Sequence, residues 1–115
     1  GFNAMELETA LRAGAPVVCI VAVDDGWGME RTAHRFSGVS AEQAHGTELS
    51  GVVRYDDLAR ALGCHGEYVD SVEDLAPAIE RSIVAGVPAV IHVQVDPDLN
   101  AEPIGYEQFR ASRTY

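Results

Sequence analysis

An unbroken apolar run, Val17-Val18-Cys19-Ile20-Val21-Ala22-Val23, ends in a stretch of acids and glycines, Asp24-Asp25-Gly26-Trp27-Gly28-Met29-Glu30. A run of this length, rich in β-branched residues, predicts a strand buried on both faces, as in parallel sheets covered by helices. Before it, Asn3 is a candidate N-cap with Glu6 three positions on, a capping-box pattern that predicts a helix over 4–13 closed by Gly14 and Pro16. After it, 27–34 reads as a short helix, and 36–51 has weak periodicity. A loop that long is a functional segment or is ordered by a partner.

The rest of the chain alternates regularly. Residues 54–62 read as a helix burying Leu58 and Leu62 and stopping at Gly63, followed by a short strand at Glu67-Tyr68-Val69. Ser71 caps the next helix, whose Val72, Leu75, Ala76, Ile79 and Ile83 share one face. Pro77 lies inside it, and a proline there costs on the order of 3 kcal/mol, so a turn over 72–76 with a restart near Pro77 is expected. Gly86 and Pro88 end that helix, and 89–96 forms the last strand, closed by Asp96-Pro97. Helix and strand in alternation imply βαβ units: an α/β fold of three layers, α/β/α, around a parallel sheet with an open edge. The division expected is one domain over 1–98 and a tail over 99–115. The chain opens Gly1-Phe2-Asn3, without methionine and directly before the first helix, so a preceding segment is expected.

Composition narrows the partners. With 18 acidic and 8 basic residues, a net charge of −10 and no basic stripe, the chain is not a nucleic-acid binder. No stretch approaches a membrane span or a signal segment. Cys19, in the buried strand, and Cys64, after Gly63, lack metal-type spacing and are expected as reduced thiols of a cytoplasmic protein.

Candidate chemistry gathers at the end of the first strand. Open α/β folds bind ligands at the carboxyl edge of the sheet. Carboxylates there suit a hard cation, and glycines allow close approach of phosphate oxygens. Taken alone, Asp24-Asp25-Gly26 is also ordinary turn chemistry. Glu30, Arg31, His34 and Arg35 read as a solvated charged face. His45 and His65 have no metal-ligand neighbours, and Glu6 is a capping residue rather than a catalytic one.

The succession Gly1-Phe2-Asn3-Ala4-Met5-Glu6-Leu7-Glu8-Thr9-Ala10-Leu11-Arg12, the apolar strand, Asp24-Asp25-Gly26-Trp27-Gly28-Met29, the 54–63 helix with Gly66-Glu67-Tyr68-Val69, and Gly86-Val87-Pro88-Ala89-Val90-Ile91 resembles the C-terminal thiamine-diphosphate-binding domain of the acetolactate synthase-like family and its relatives, the 2-hydroxyacyl-CoA and oxalyl-CoA lyases. The likeness runs to about Asp98 and implies the thiamine-diphosphate-binding fold, here partial. In that family Mg2+ is held by the aspartate of a Gly-Asp-Gly, by the second residue of a later Asn-Asn or Asn-Asp pair, and by a backbone carbonyl two residues beyond. Aligning Gly28-Met29 on the family's Gly-Met implies Asp24 and the Gly26 carbonyl as metal ligands. Val23 stands where the family has its first Asn, which leaves Asp25 as the alternative ligand.

The resemblance implies thiamine diphosphate and Mg2+ as cofactors, with Gly26, Trp27, Gly28 and Met29 against the cofactor. Amides of Gly28 and Met29 at a helix start would face the diphosphate. Trp27 is equally a cap on the core, and Met29 equally a packing residue. Gly-Asp-Gly is absent from the chain, as is the domain that supplies the family's cofactor-activating glutamate. No catalytic residue is therefore assigned, and the chain alone is expected to be inactive. The implied activity is that of a transferase or lyase making or breaking C–C bonds beside a carbonyl, on a 2-oxo acid or, alternatively, an acyl-CoA, in a homodimer or homotetramer. A non-catalytic α/β module pairing through its open sheet edge is the reading of another class.

Overall fold

In a computed structural model of the chain, which describes residues 3–40, 42–43, 45–51 and 53–97, helices and strands alternate as α1 (Glu6–Arg12), β1 (Val18–Val23), α2 (Gly28–Phe36), α3 (Tyr55–Ala61), β2 (His65–Val69), α4 (Val72–Val84) and β3 (Ala89–Gln94). The three strands form one parallel sheet in the order β1-β3-β2. Register is continuous: Val18 faces Ala89 and Val23 faces Gln94 on one side of β3, while His65 faces Ala89 and Val69 faces Val93 on the other. The expected boundary at 98 and the tail beyond it lie outside the described residues.

Alternation along β3 divides the core in two. Val90 joins Ala59 and Cys64 on one face of the sheet, with Leu7, Leu11, Val21, Tyr55 and Leu62 packed around them. Ile91 joins Val69 and Ala78 on the other, under Leu75, Ile79 and Val93 of α4 and β3. Helices thus lie on both faces, as the alternation of elements requires. Gly66 of β2 lets α3 approach closely, since a Cβ there would lie 2.2 Å from the Asp56 carbonyl oxygen.

Several expectations fail for identifiable reasons. The strand expected to be buried on both faces, β1, is an edge strand: Ile20 is 54% exposed, Val18 37%, and Cys19 is exposed. Helices α3 and α4 lie over β2 and β3 and leave β1 largely uncovered. The buried strand is β3, because it alone has a neighbour on each side. An apolar run records what a strand can bury, not which strand lies beside it.

Helix α4 runs unbroken through Pro77. The proline ring sits on the exposed side, only the bond to the Glu73 carbonyl is forfeited, and burial of Leu75, Ala78, Ile79 and Ser82 holds the helix together. Its buried face is rotated from the expected one, with Val72 79% and Ile83 64% exposed. In α3 the buried positions are Asp56 and Ala59, while Leu58 is exposed. Ser71 stands at the N-cap of α4, but its hydroxyl donates to Asp74 Oδ2 at 2.8 Å rather than capping an amide. The Asn3–Glu6 capping box does not form; Asn3 contributes only its carbonyl, which accepts from the Glu6 N–H at 3.0 Å, and the helix starts after Met5.

Candidate functional site

Strand β1 delivers Asp24, Asp25 and Gly26 to the carboxyl edge of the sheet, directly before α2. The chain turns sharply there. Asp25 has a left-handed backbone, φ 54°, a conformation that aspartate tolerates because its short carboxylate can bond locally. The Gly26 N–H donates to Asp24 Oδ1 at 3.3 Å, closing the turn. The long loop after α2 then folds back onto it: the Trp27 N–H donates to the Thr47 carbonyl at 2.7 Å and the Leu49 N–H to the Asp25 carbonyl at 2.8 Å, flanking an antiparallel bridge between Gly26 and Glu48. Residues 47–49 of the weakly patterned loop are therefore held against the site by backbone bonds.

Two side chains hold the carboxylates. Arg31, one turn into α2, donates to Asp24 Oδ2 at 2.7 Å, to the Asp24 carbonyl at 2.9 Å and to Glu48 Oε2 at 3.2 Å. Its side chain is only 19% exposed, so the expectation of a solvated charge fails at this position. His34 departs too, with a buried Nδ1 lacking a hydrogen-bond partner. The guanidinium fits beneath Gly26 because that residue has no side chain: a Cβ would lie 2.7 Å from both Arg31 Cζ and the Thr47 carbonyl oxygen. Asp25 is held from β3, where Gln94 donates to its Oδ2 at 2.9 Å and to the Val23 carbonyl at 3.1 Å. Trp27 and Met29 are 54% and 81% exposed, so neither belongs to the core of the described fold.

At the start of α2 the first N–H with a backbone acceptor is that of Arg31, bonded to the Trp27 carbonyl at 2.9 Å. The N–H groups of Gly28, Met29 and Glu30 precede it in the first turn, and among the described residues none is spent on a backbone acceptor. Free amides at the positive end of a nine-residue helix favour an anion. Among the described residues no group of three or more His, Cys, Asp or Glu side chains converges as a metal site. His65 pairs with Glu67 at 2.9 Å, and Glu67 also receives Arg81 at 2.9 Å, which with the His65 bond holds its carboxyl below the usual range against the opposing effect of burial.

A second polar cluster lies between the start of α3 and β2. Asp56 is fully buried and takes both Arg54 donors at 2.8 Å and Arg60 at 2.9 Å; the Arg54 bonds outweigh burial and push its carboxyl down to about 2. Arg54 also stacks 3.9 Å above the Tyr68 ring. His92 is 2% exposed between Tyr55 and Tyr68. Sequence reasoning misread Arg31 and passed over Thr47, His92 and Gln94. For the last two a signal existed, since they are polar residues two apart on one face of an otherwise apolar strand.

The architecture and the loop define a parallel α/β domain that presents carboxylate oxygens and free helix amides together at the carboxyl edge of its sheet. Residues 1–93 match the family described as thiamine pyrophosphate enzyme, C-terminal TPP binding domain, and the chain belongs to that family. It is 39% identical over 99 residues to a probable acetolactate synthase of Mycobacterium bovis, covering 86% of this chain and 18% of that protein. It is 35% identical over 104 residues to a 2-hydroxyacyl-CoA lyase of Oryza sativa, covering 89% of this chain and 18% of the relative. An oxalyl-CoA decarboxylase of Escherichia coli is 30% identical over 105 residues, again over 89% of this chain and 18% of the relative. The chain thus spans about a fifth of the length of the relatives it matches. Among the described residues no helix is long and apolar enough to cross a membrane.

Proposed function

We propose that the loop from Asp24 to Met29 holds the diphosphate end of thiamine diphosphate through Mg2+, as part of an acetolactate synthase-like enzyme that joins or cleaves C–C bonds beside a carbonyl. The observation that carries this reading is the coincidence, within six residues, of a turn bearing two carboxylates and an anion-favouring helix start, in a chain of the thiamine pyrophosphate family. The donor chemistry fits. Mg2+ takes a few hard oxygens and completes its shell with phosphate and water, so one carboxylate and one carbonyl suffice from this side. Asp24 and the Gly26 carbonyl are the proposed ligands, with Asp25 as the alternative. Among the described residues the Gly26 carbonyl accepts no backbone hydrogen bond and is open to a cation.

When bound, thiamine diphosphate supplies the nucleophilic carbon and the electron sink, and the protein binds and orients it. This chain's residues would anchor it: the amides of Gly28 and Met29 would face the diphosphate, Trp27 would line the cofactor's side of the loop, and Gly26 would keep the backbone close. Arg31 is the internal counter-charge of Asp24, at 2.7 Å, and would have to share that carboxylate with the cation. Substrate choice among a 2-oxo acid, a 2-hydroxyacyl-CoA and oxalyl-CoA lies outside the residues assigned here, as does assembly, proposed as a homodimer or homotetramer. The test is turnover by the intact gene product with thiamine diphosphate and Mg2+, offered 2-oxo acids, a 2-hydroxyacyl-CoA and oxalyl-CoA in parallel. Acetolactate formation supports the reading, and cleavage of a CoA thioester shifts it to the lyase branch. Failure to bind the cofactor at all sinks it and favours an interaction module that pairs through its sheet edge.

A further inference from the structure

The loop that carries the site is tied to β3 by a chain of hydrogen bonds whose directions are mutually fixed. The Tyr55 backbone N–H donates to His92 Nδ1 at 3.3 Å, which leaves that nitrogen without a proton and places the proton of the neutral ring on Nε2. Nε2 faces Gln94 Oε1 at 3.4 Å, a long bond but one whose polarity is settled: the nitrogen donates and the amide oxygen accepts. With its oxygen turned to His92, the Gln94 amide nitrogen points to β1, where it meets two acceptors, the Val23 carbonyl at 3.1 Å and Asp25 Oδ2 at 2.9 Å. The Val23 carbonyl is a backbone acceptor and so confirms the same amide orientation independently of the histidine.

His92 cannot turn. Its ring is 2% exposed and lies between Tyr55 and Tyr68, with centroids at 5.8 and 5.2 Å. The Asp56 carboxylate, 3.9 Å from Nδ1, is already engaged by Arg54 and Arg60 and does not displace the Tyr55 N–H. At the far end, Gln94 grips the side chain of Asp25, which among the described residues is the non-glycine with left-handed backbone geometry, φ 54°.

We infer that His92 and Gln94 are a positioning pair: His92 sets the orientation of the Gln94 amide, and Gln94 fixes the Asp25 turn and with it the register of the site loop. On the proposed function this holds one oxygen of the alternative ligand, Asp25, in place; that consequence rests on the proposed reading, whereas the pairing does not.

Two measurements on the intact gene product without cofactor test it. Long-range 1H–15N spectra of the labelled protein should show His92 protonated at Nε2 and bare at Nδ1; a proton on Nδ1 overturns the inference. Amide exchange should then show that Gln94→Leu and Gln94→Glu each lower protection of the Trp27 and Leu49 amides about tenfold while the Val69 and Ile91 amides keep theirs, because only the loop opens. Gln94→Glu is the sharper variant, since it can still accept from His92 but sets an oxygen against Asp25 and the Val23 carbonyl. Ile91→Val, which thins the core without touching the loop, should leave Trp27 and Leu49 no more affected than the rest of the sheet. Unchanged protection in both Gln94 variants, or a uniform loss equal to that in Ile91→Val, overturns the pair. Cofactor binding by the intact gene product is scored separately, so failure of the proposed function leaves the exchange result standing.

Discussion

Asp56→Asn removes a fully buried carboxylate on which two arginines converge, and its cost can be worked from the geometry. The carboxylate accepts three charge-assisted bonds, two from Arg54 at 2.8 Å and one from Arg60 at 2.9 Å. Both arginine side chains are nearly half exposed, 43% and 47%, so solvent screens them and the pair is worth less than a wholly buried one. The drop of the carboxyl from 3.8 to about 2, caused first by the Arg54 hydrogen bonds, converts at 1.36 kcal/mol per pH unit to about 2 kcal/mol. Asparagine also turns an N–H2 toward a guanidinium, and leaving a buried donor unsatisfied adds about 1 kcal/mol. The expected loss is about 3 kcal/mol near pH 6, read from urea unfolding followed by circular dichroism. Because the folded-state value is depressed, this stability is fully present above 3.8 and is lost as pH falls through about 2. The gap between variant and parent should therefore narrow toward pH 2. A gap under about 1 kcal/mol near pH 6, or one unchanged at low pH, refutes the assignment of Asp56 as a buried, arginine-held anion.

Gly66→Ala should cost about 3 kcal/mol or more in the same titration, because its Cβ meets the Asp56 carbonyl oxygen at 2.2 Å and neither backbone can retreat; a loss within experimental error would place α3 farther from β2. Gly26→Ala should cost about 1–3 kcal/mol and change the emission of Trp27, the sole tryptophan, since the methyl drives apart Arg31 and the Thr47 carbonyl that holds the Trp27 N–H. An unchanged spectrum would show that the loop does not close on Gly26. The bare edge and faces of β1, with Ile20 54% exposed, should make the isolated chain self-associate in sedimentation velocity, and Ile20→Lys should suppress it. A parent chain monomeric across the concentration range would contradict this.

The order of elements was legible in the sequence because each rests on local signals: the apolar run ending at Asp24, Gly63 after α3, Ser71 before α4, Gly86 and Pro88 before β3. The place of the candidate site was legible for the same reason, as the end of a strand is marked by the residues that stop it. What was not legible depends on partners far along the chain. Gln94 reaches Asp25 across 69 positions, and the Tyr55 N–H reaches His92 across 37. Burial of β1 and β3 follows from the strand order, which an apolar run does not encode. Arg31 was misread for a subtler reason. A charge after a turn is usually solvated, and only the closure of Gly26 over the guanidinium shows that this one is enclosed.

The central claim is that the turn after β1 is one side of a Mg2+–diphosphate clamp, with Asp24 as its carboxylate. It is tested most directly by calorimetric titration of thiamine diphosphate into the intact gene product in the presence of Mg2+, comparing Asp24→Ala with Asp25→Ala. Asp24→Ala should abolish Mg2+-dependent binding or weaken it far more than Asp25→Ala does. A greater loss in Asp25→Ala would move the ligand by one residue, and parental binding in both variants would contradict the clamp.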